Sequence, residues 1–163
     1  MRPSVLLLLL LGFTTALRAS DVTLVRVWPD WRSAASFAGP GEFLSGHEST
    51  DGQTVLRSQP AERSGCYFLV RTKAAMAVTG VKVELQVLLP GIEKPRTVSL
   101  PVDLPAGSHA ILAGLTGTDW PGEKTRPLAW HLAVVGPDGQ TLASAQSFLW
   151  SKPADGAVTA PAK

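Results

Sequence analysis

The chain reads as an all-β protein, a single antiparallel β-sandwich of about eight strands, and three observations predict it. First, Val81, Val83, Leu85, Val87 and Leu89 alternate with Lys82, Glu84 and Gln86, the period-two pattern of a half-buried strand. Second, Leu128, Trp130, Leu132 and Val134 alternate with Ala129, His131, Ala133 and Val135 and run into Gly136-Pro137-Asp138-Gly139. There Pro presets its φ and Gly is free to take positive φ, so a hairpin is expected, returning through Gln140 to Trp150. Third, strand-like runs recur between Val22 and Trp150 with turn residues between them, the spacing of a sandwich or barrel.

In chain order, the early strands are Val22 to Trp28, Thr54 to Ser58 and Cys66 to Arg71. Pro90-Gly91 ends the Val81 strand, as turn residues do. Val98, Leu100, Val102 and Leu104 then alternate with Ser99, Pro101 and Asp103. Pro101 has no N–H for a ladder, which places this strand at a sheet edge or a bulge. Pro105-Ala106-Gly107 turns the chain into His109 to Leu115. The segment from Trp31 to Gly46 is rich in Ser, Ala and Gly. One short helical turn is expected near 40–45, begun by Pro40 and closed by Gly46. Residues 151–163 carry a single Val and no aromatic side chain, the composition of a disordered tail.

The first residues have a different logic. Met1 and Arg2 give a positive start, Val5 to Leu11 is an apolar run with six consecutive leucines, and Thr14, Thr15, Ala16, Ala19 and Ser20 are small. This is a secretory signal peptide, read as residues 1–19 with cleavage within 16–20. Cutting after Ala16 fits the small-x-small rule best; cutting after Ala19 places Leu17 at the −3 position. The apolar run breaks at Gly12 and is shorter than the roughly 18 residues a spanning helix needs. A secreted or periplasmic chain is expected, with no membrane span once the signal is removed. The sandwich domain then covers 21–150.

Removing the signal changes the charge. The chain holds 15 Lys and Arg against 13 Asp and Glu, and cleavage after Ala19 takes Arg2 and Arg18, leaving 13 of each sign. No run of Lys or Arg follows, so nucleic-acid binding, which rests on a basic patch, is set aside. Cys66 is the only cysteine and lies inside an apolar strand. No intrachain disulfide is available, and burial is the expected fate of its thiol.

No residue pattern predicts catalysis, a cofactor or a metal. His47, His109 and His131 are not spaced as a local metal pair, and there is no phosphate loop, dinucleotide fingerprint or zinc-type cysteine spacing. Arg57, Arg63 and Arg71 flank the turn Gln59 to Gly65. If the flanking strands form a hairpin, Arg57 and Arg71 approach one another and can hold an acidic partner, though a solvated face balanced by Glu62 is the plainer reading. The five tryptophans carry more information. Trp28, Trp130 and Trp150 read as core residues, because Trp buries a large area. Trp31 and Trp120 fall in loops beside Asp30, Arg32 and Asp119. Trp31, Arg32, Asp119 and Trp120 are therefore the candidate ligand or partner surface: a flat ring to stack and charges to orient. The competing reading, which is favoured, makes the two rings plugs that close the ends of the sandwich.

The strings Val27-Trp28-Pro29-Asp30-Trp31-Arg32-Ser33-Ala34-Ala35-Ser36-Phe37, Gly114-Leu115-Thr116-Gly117-Thr118-Asp119-Trp120-Pro121 and Ser147-Phe148-Leu149-Trp150 together resemble a group of exported bacterial proteins of unassigned function. The resemblance spans 22–150 and implies no activity. The final hairpin is similar to the closing strands of immunoglobulin-like and fibronectin-like domains, without the two cysteines of a true immunoglobulin domain. The resulting expectation is an immunoglobulin-like sandwich acting as a non-catalytic interaction module, with a protein or glycan of the cell envelope as partner. The alternative is a carbohydrate-binding module using loop tryptophans. A secreted hydrolase ranks third and needs a cleft that brings a Ser or Asp to one of the histidines.

Overall fold

A computed structural model describes residues 22–39, 48, 50 and 52–150. The expected signal peptide, the helical turn at 40–45 and the tail from 151 onward lie outside the described residues. Eight strands are described: β1 (Val22–Arg32), β2 (Thr54–Arg57), β3 (Gly65–Ala74), β4 (Val78–Leu88), β5 (Arg96–Leu104), β6 (Gly107–Thr116), β7 (Ala129–Val135) and β8 (Thr141–Gln146). They form two four-stranded sheets, β1-β3-β6-β2 and β5-β4-β7-β8. Three short 3-10 turns complete the description, at Ala34–Phe37, Gly117–Asp119 and Phe148–Trp150.

The alternation places the core between the sheets. Val81, Val83, Leu85 and Val87 of β4, Leu100 and Leu104 of β5 and Leu132 and Val134 of β7 supply one wall. Cys66, Phe68 and Val70 of β3 and Ile111, Ala113 and Leu115 of β6 supply the other. Phe68 meets Trp130 edge to face across the gap, with ring centroids 5.8 Å apart. The Gly136–Gly139 turn forms as expected: Gly139 N–H donates to the Gly136 carbonyl at 3.0 Å, Gln140 N–H donates to the Asp138 carboxylate, and Gly139 has φ +80°.

Apart from β2, the remaining strands stand in the order β1-β3-β6 against β5-β4-β7-β8, a sandwich in which the strand after β4 stays on β4's sheet. In a constant-type immunoglobulin domain that strand lies beside the fifth. Here the vacated edge of β6 is taken by β2, from the crossover between β1 and β3.

Several expectations need correction. The sandwich is not wholly antiparallel, because β2 runs parallel to β6, Thr54 opposite Ile111 and Arg57 opposite Gly114. Parallel strands of one sheet are joined by crossovers rather than hairpins, and β1 and β2, at opposite edges of the same sheet, are joined in this way. No hairpin joins β2 to β3; β6 lies between them, so Arg57 and Arg71 are apart. Trp31 and Arg32 are not loop residues: β1 continues through Pro29 to Arg32, with Trp31 opposite Cys66. Trp28 is 55% exposed rather than core. The cause is a β-bulge at Val25, where Leu24 faces Thr72 and Arg26 faces Arg71. One extra residue exchanges the faces of everything after it. Val22 and Leu24 point into the core before the bulge; Val27 and Trp31 do so after it. Trp150 is not in the last strand but in the 3-10 turn beyond β8, stacked on His131.

Two expectations hold directly. Pro101 lies in β5, an edge strand, opposite Lys82. Cys66 is buried and unpaired, and burial pushes its thiol up to about 12 from an ordinary 9.0, with Arg126 opposing weakly. The folded state thus holds this proton more tightly than the unfolded chain. That contribution is complete below about pH 9 and is lost as pH rises toward 12. Native protein at pH 7–8 is expected to react with a thiol reagent only as fast as it opens, and about stoichiometrically in denaturant. Burst labelling of the native state would place Cys66 outside the core.

The four sheet edges share a trait. β1 carries Pro29 and the Val25 bulge, β5 carries Pro101, and β2 and β8 span only Thr54–Arg57 and Thr141–Gln146.

Candidate functional site

The sequence-predicted quartet gathers at one end of the sandwich, because Arg32 is opposite Gly65 and Gly65 is opposite Thr116, which leads into the loop of Asp119 and Trp120. The side chains then part. Trp120 is 5% exposed and belongs to the main core, its indole N–H donating to the Gly122 carbonyl at 2.9 Å. Trp31 is half-buried against the same core. Arg32 turns to the opposite face of its sheet, over the Phe37 ring. Asp119 faces Arg96 at 3.8 Å, and Arg96 also donates to the Thr118 carbonyl. Trp120 therefore offers no open face for a sugar, and the glycan reading built on Trp31 and Trp120 draws no support from this arrangement.

The loop is held rather than free. Gly117 adopts φ +56°, and a Cβ there would lie 2.4 Å from the Gln59 side-chain oxygen. Gln59 donates to the Thr118 hydroxyl at 2.6 Å, and Thr116 exchanges hydrogen bonds with the backbone of Gln59.

On the outer face of the β1-β3-β6-β2 sheet, two zones differ in character. The first is closed. Phe37, Tyr67 and Leu112 form a second small core, with Val55 and Leu69 packed on it. Gly114 makes room for the Tyr67 ring, since a Cβ there would meet it at 2.4 Å. Arg57 stacks on Phe37 at 4.9 Å, donates to the Tyr67 hydroxyl at 2.8 Å and pairs with Glu48. Burial tends to lower the Arg57 pKa, but the bonds to Glu48 and Tyr67 outweigh it and raise it overall. Burial likewise raises the Tyr67 pKa, against the pull of Arg57. The Tyr67 hydroxyl in turn donates to the Arg63 carbonyl, so the Arg57 guanidinium and the Tyr67 hydroxyl both have partners and the assembly reads as structural.

The second zone is open. The bulge at Val25 and the phase change it imposes bring Arg26 and Trp28 onto the outer face, across from Arg71 and Leu69. These five residues line a cleft of about 540 Å³. The Arg26 guanidinium lies over the Trp28 ring at 4.7 Å. A second cleft of about 460 Å³ shares Val25 and Arg71 and continues past Ser108 and Ala110 of β6. Sequence reasoning missed this site because it read Trp28 as a core residue from the size of its ring. The adjacent apolar pair Leu24-Val25, which breaks strict alternation, was the available signal.

The histidines are dispersed. His109 shares a 2.9 Å hydrogen bond with the Thr54 hydroxyl, His131 stacks on Trp150, and His47 lies outside the described residues. The Thr54–His109 pair has no third group orienting the ring among the described residues. Nor does any group of three or more His, Cys, Asp or Glu among them stand close enough to hold a metal ion.

Fold and site together define a small β-sandwich with an arginine- and tryptophan-lined groove on one sheet face. No protein-family model, curated protein or solved structure matches the chain.

Proposed function

We propose that this chain is an exported, non-catalytic interaction module that meets its partner through the outer face of β1 and β3. The observation that carries this reading is Trp28, a large ring left 55% exposed on a regular strand, with Arg26 laid over it and Val25, itself 66% exposed, beside it. Trp and Arg are the side chains most enriched at the energetic centres of interfaces. Here they stand on paired strands, so their positions are fixed before a partner arrives. The signal-like N-terminus supports an envelope or extracellular partner.

A photo-reactive benzoylphenylalanine in place of Trp28, in the full-length chain expressed in an exporting host, is expected to form a discrete adduct. The same group in place of Thr97, exposed on β5 of the other sheet, is expected to form none. Equal labelling from both positions, or none from either, would remove the outer face as a contact surface. Trp28→Ala should meanwhile change stability by less than about 1 kcal/mol, because an exposed ring loses little beyond its contact with Arg26. Thermal melting checks this.

A further inference from the structure

We infer that the groove around Trp28 takes an acidic peptide segment that carries an apolar side chain beside its carboxylates; this deepens the interaction-face reading above and rests on it. The charge arrangement is the starting point. Arg26 and Arg71 are direct cross-strand partners, and like charges in that relation repel. Neither has a carboxylate partner among the described residues, whereas Arg57 is paired with Glu48 and Arg96 with Asp119. Asp30 follows on the same face of β1 but does not line the cleft. Two guanidinium forks facing one cleft, without a carboxylate partner among the described residues, are complementary to two carboxylates, which they bind through paired N–H donors.

The rest of the lining selects among anions. Leu69 and the Trp28 ring lie to one side of the arginine pair and Val25 to the other, so the arginines are bordered by apolar surface. The five lining residues include no carboxylate, amide or hydroxyl side chain. Among these five residues a uronic-acid polymer would find no side-chain acceptor for its many hydroxyl donors. An acidic peptide with an aliphatic or aromatic side chain brings no hydroxyl groups, and its backbone groups can stay in water at the open cleft. Recognition runs through side chains, because Pro29 interrupts the donors with which β1 would pair an added strand.

The test uses fluorescein-labelled peptides with Glu-Leu-Glu between Gly-Ser flanks, followed by anisotropy with the signal-free chain. The Glu-Leu-Glu probe is expected to bind and to weaken as salt rises. Replacing both Glu by Gln, or Leu by Ser, should weaken it. Arg71→Gln and Trp28→Ala should each weaken it roughly ten- to hundred-fold while melting as the wild type does. Arg71→Lys should fall between, since an ammonium lacks the planar fork. Failure of the Glu-Leu-Glu probe to bind would overturn the inference, as would tighter binding of an oligogalacturonate or of phosphatidylglycerol vesicles. A Trp28-position cross-link that persists in any of those cases leaves the interaction face standing and rejects only the acidic peptide. Loss of the cross-link rejects the face itself.

Discussion

Trp120→Ala is expected to destabilise the protein by about 3–5 kcal/mol, the usual cost of deleting a large buried aromatic side chain. The indole is 5% exposed, packs in the main core and donates its N–H to Gly122. Alanine leaves a cavity that the loop cannot easily fill, because Gln59, Thr116 and Arg96 hold the preceding turn in place. The Gly122 carbonyl loses its donor as well. Chemical denaturation should show a lower midpoint with an unchanged slope. A variant that melts with the wild type would mean that the ring is not a structural plug, and would return it to consideration as a binding surface.

Phe68→Ala should cost a similar amount, about 3–5 kcal/mol, for a different reason. Phe68 is fully buried in β3 and meets Trp130 of β7 edge to face, so it ties one sheet to the other. A double-mutant cycle with Phe68→Leu and Trp130→Leu should show a coupling of about 0.5–1.5 kcal/mol, the worth of an aromatic pair beyond its buried area. Zero coupling would show that the two rings are independently buried and that the sheets are joined elsewhere. Trp28→Ala is the internal contrast: an aromatic ring one strand away from Phe68, exposed on the outer face, whose loss should be nearly silent in stability.

How far the sequence could be read depended on how local the governing physics was. The β4 and β7 alternations, the Gly136–Gly139 turn, the edge position of Pro101 and the burial of Cys66 follow from patterns complete within a few residues. The bulge at Val25 is also local, but its effect is not. One inserted residue reversed the facing of Trp28 and Trp31, and with them the assignment of core and surface. The parallel pairing of β2 with β6 joins residues more than fifty positions apart, and no short pattern announces it. The candidate quartet was partly legible: its members do meet at one end of the fold, but with one ring sealed in the core, the other half-buried and both charges committed to neighbouring groups. The open groove stayed hidden because its members come from β1 and β3, and their meeting depends on register.

The treatment of the sheet edges also bears on how the protein behaves at high concentration. A fibril grows when an exposed strand presents an unbroken row of donors and acceptors on which the next chain can zip. Two edges here are interrupted by Pro29 and Pro101, one of them also by a bulge, and the other two are too short to template more than a few bonds. With 15 basic against 13 acidic side chains in the full chain, the molecule gains little from charge repulsion between copies. The fold's defence against amyloid-like growth is therefore expected to reside in the backbone, and removing either proline should lengthen the edge on which another chain can pair.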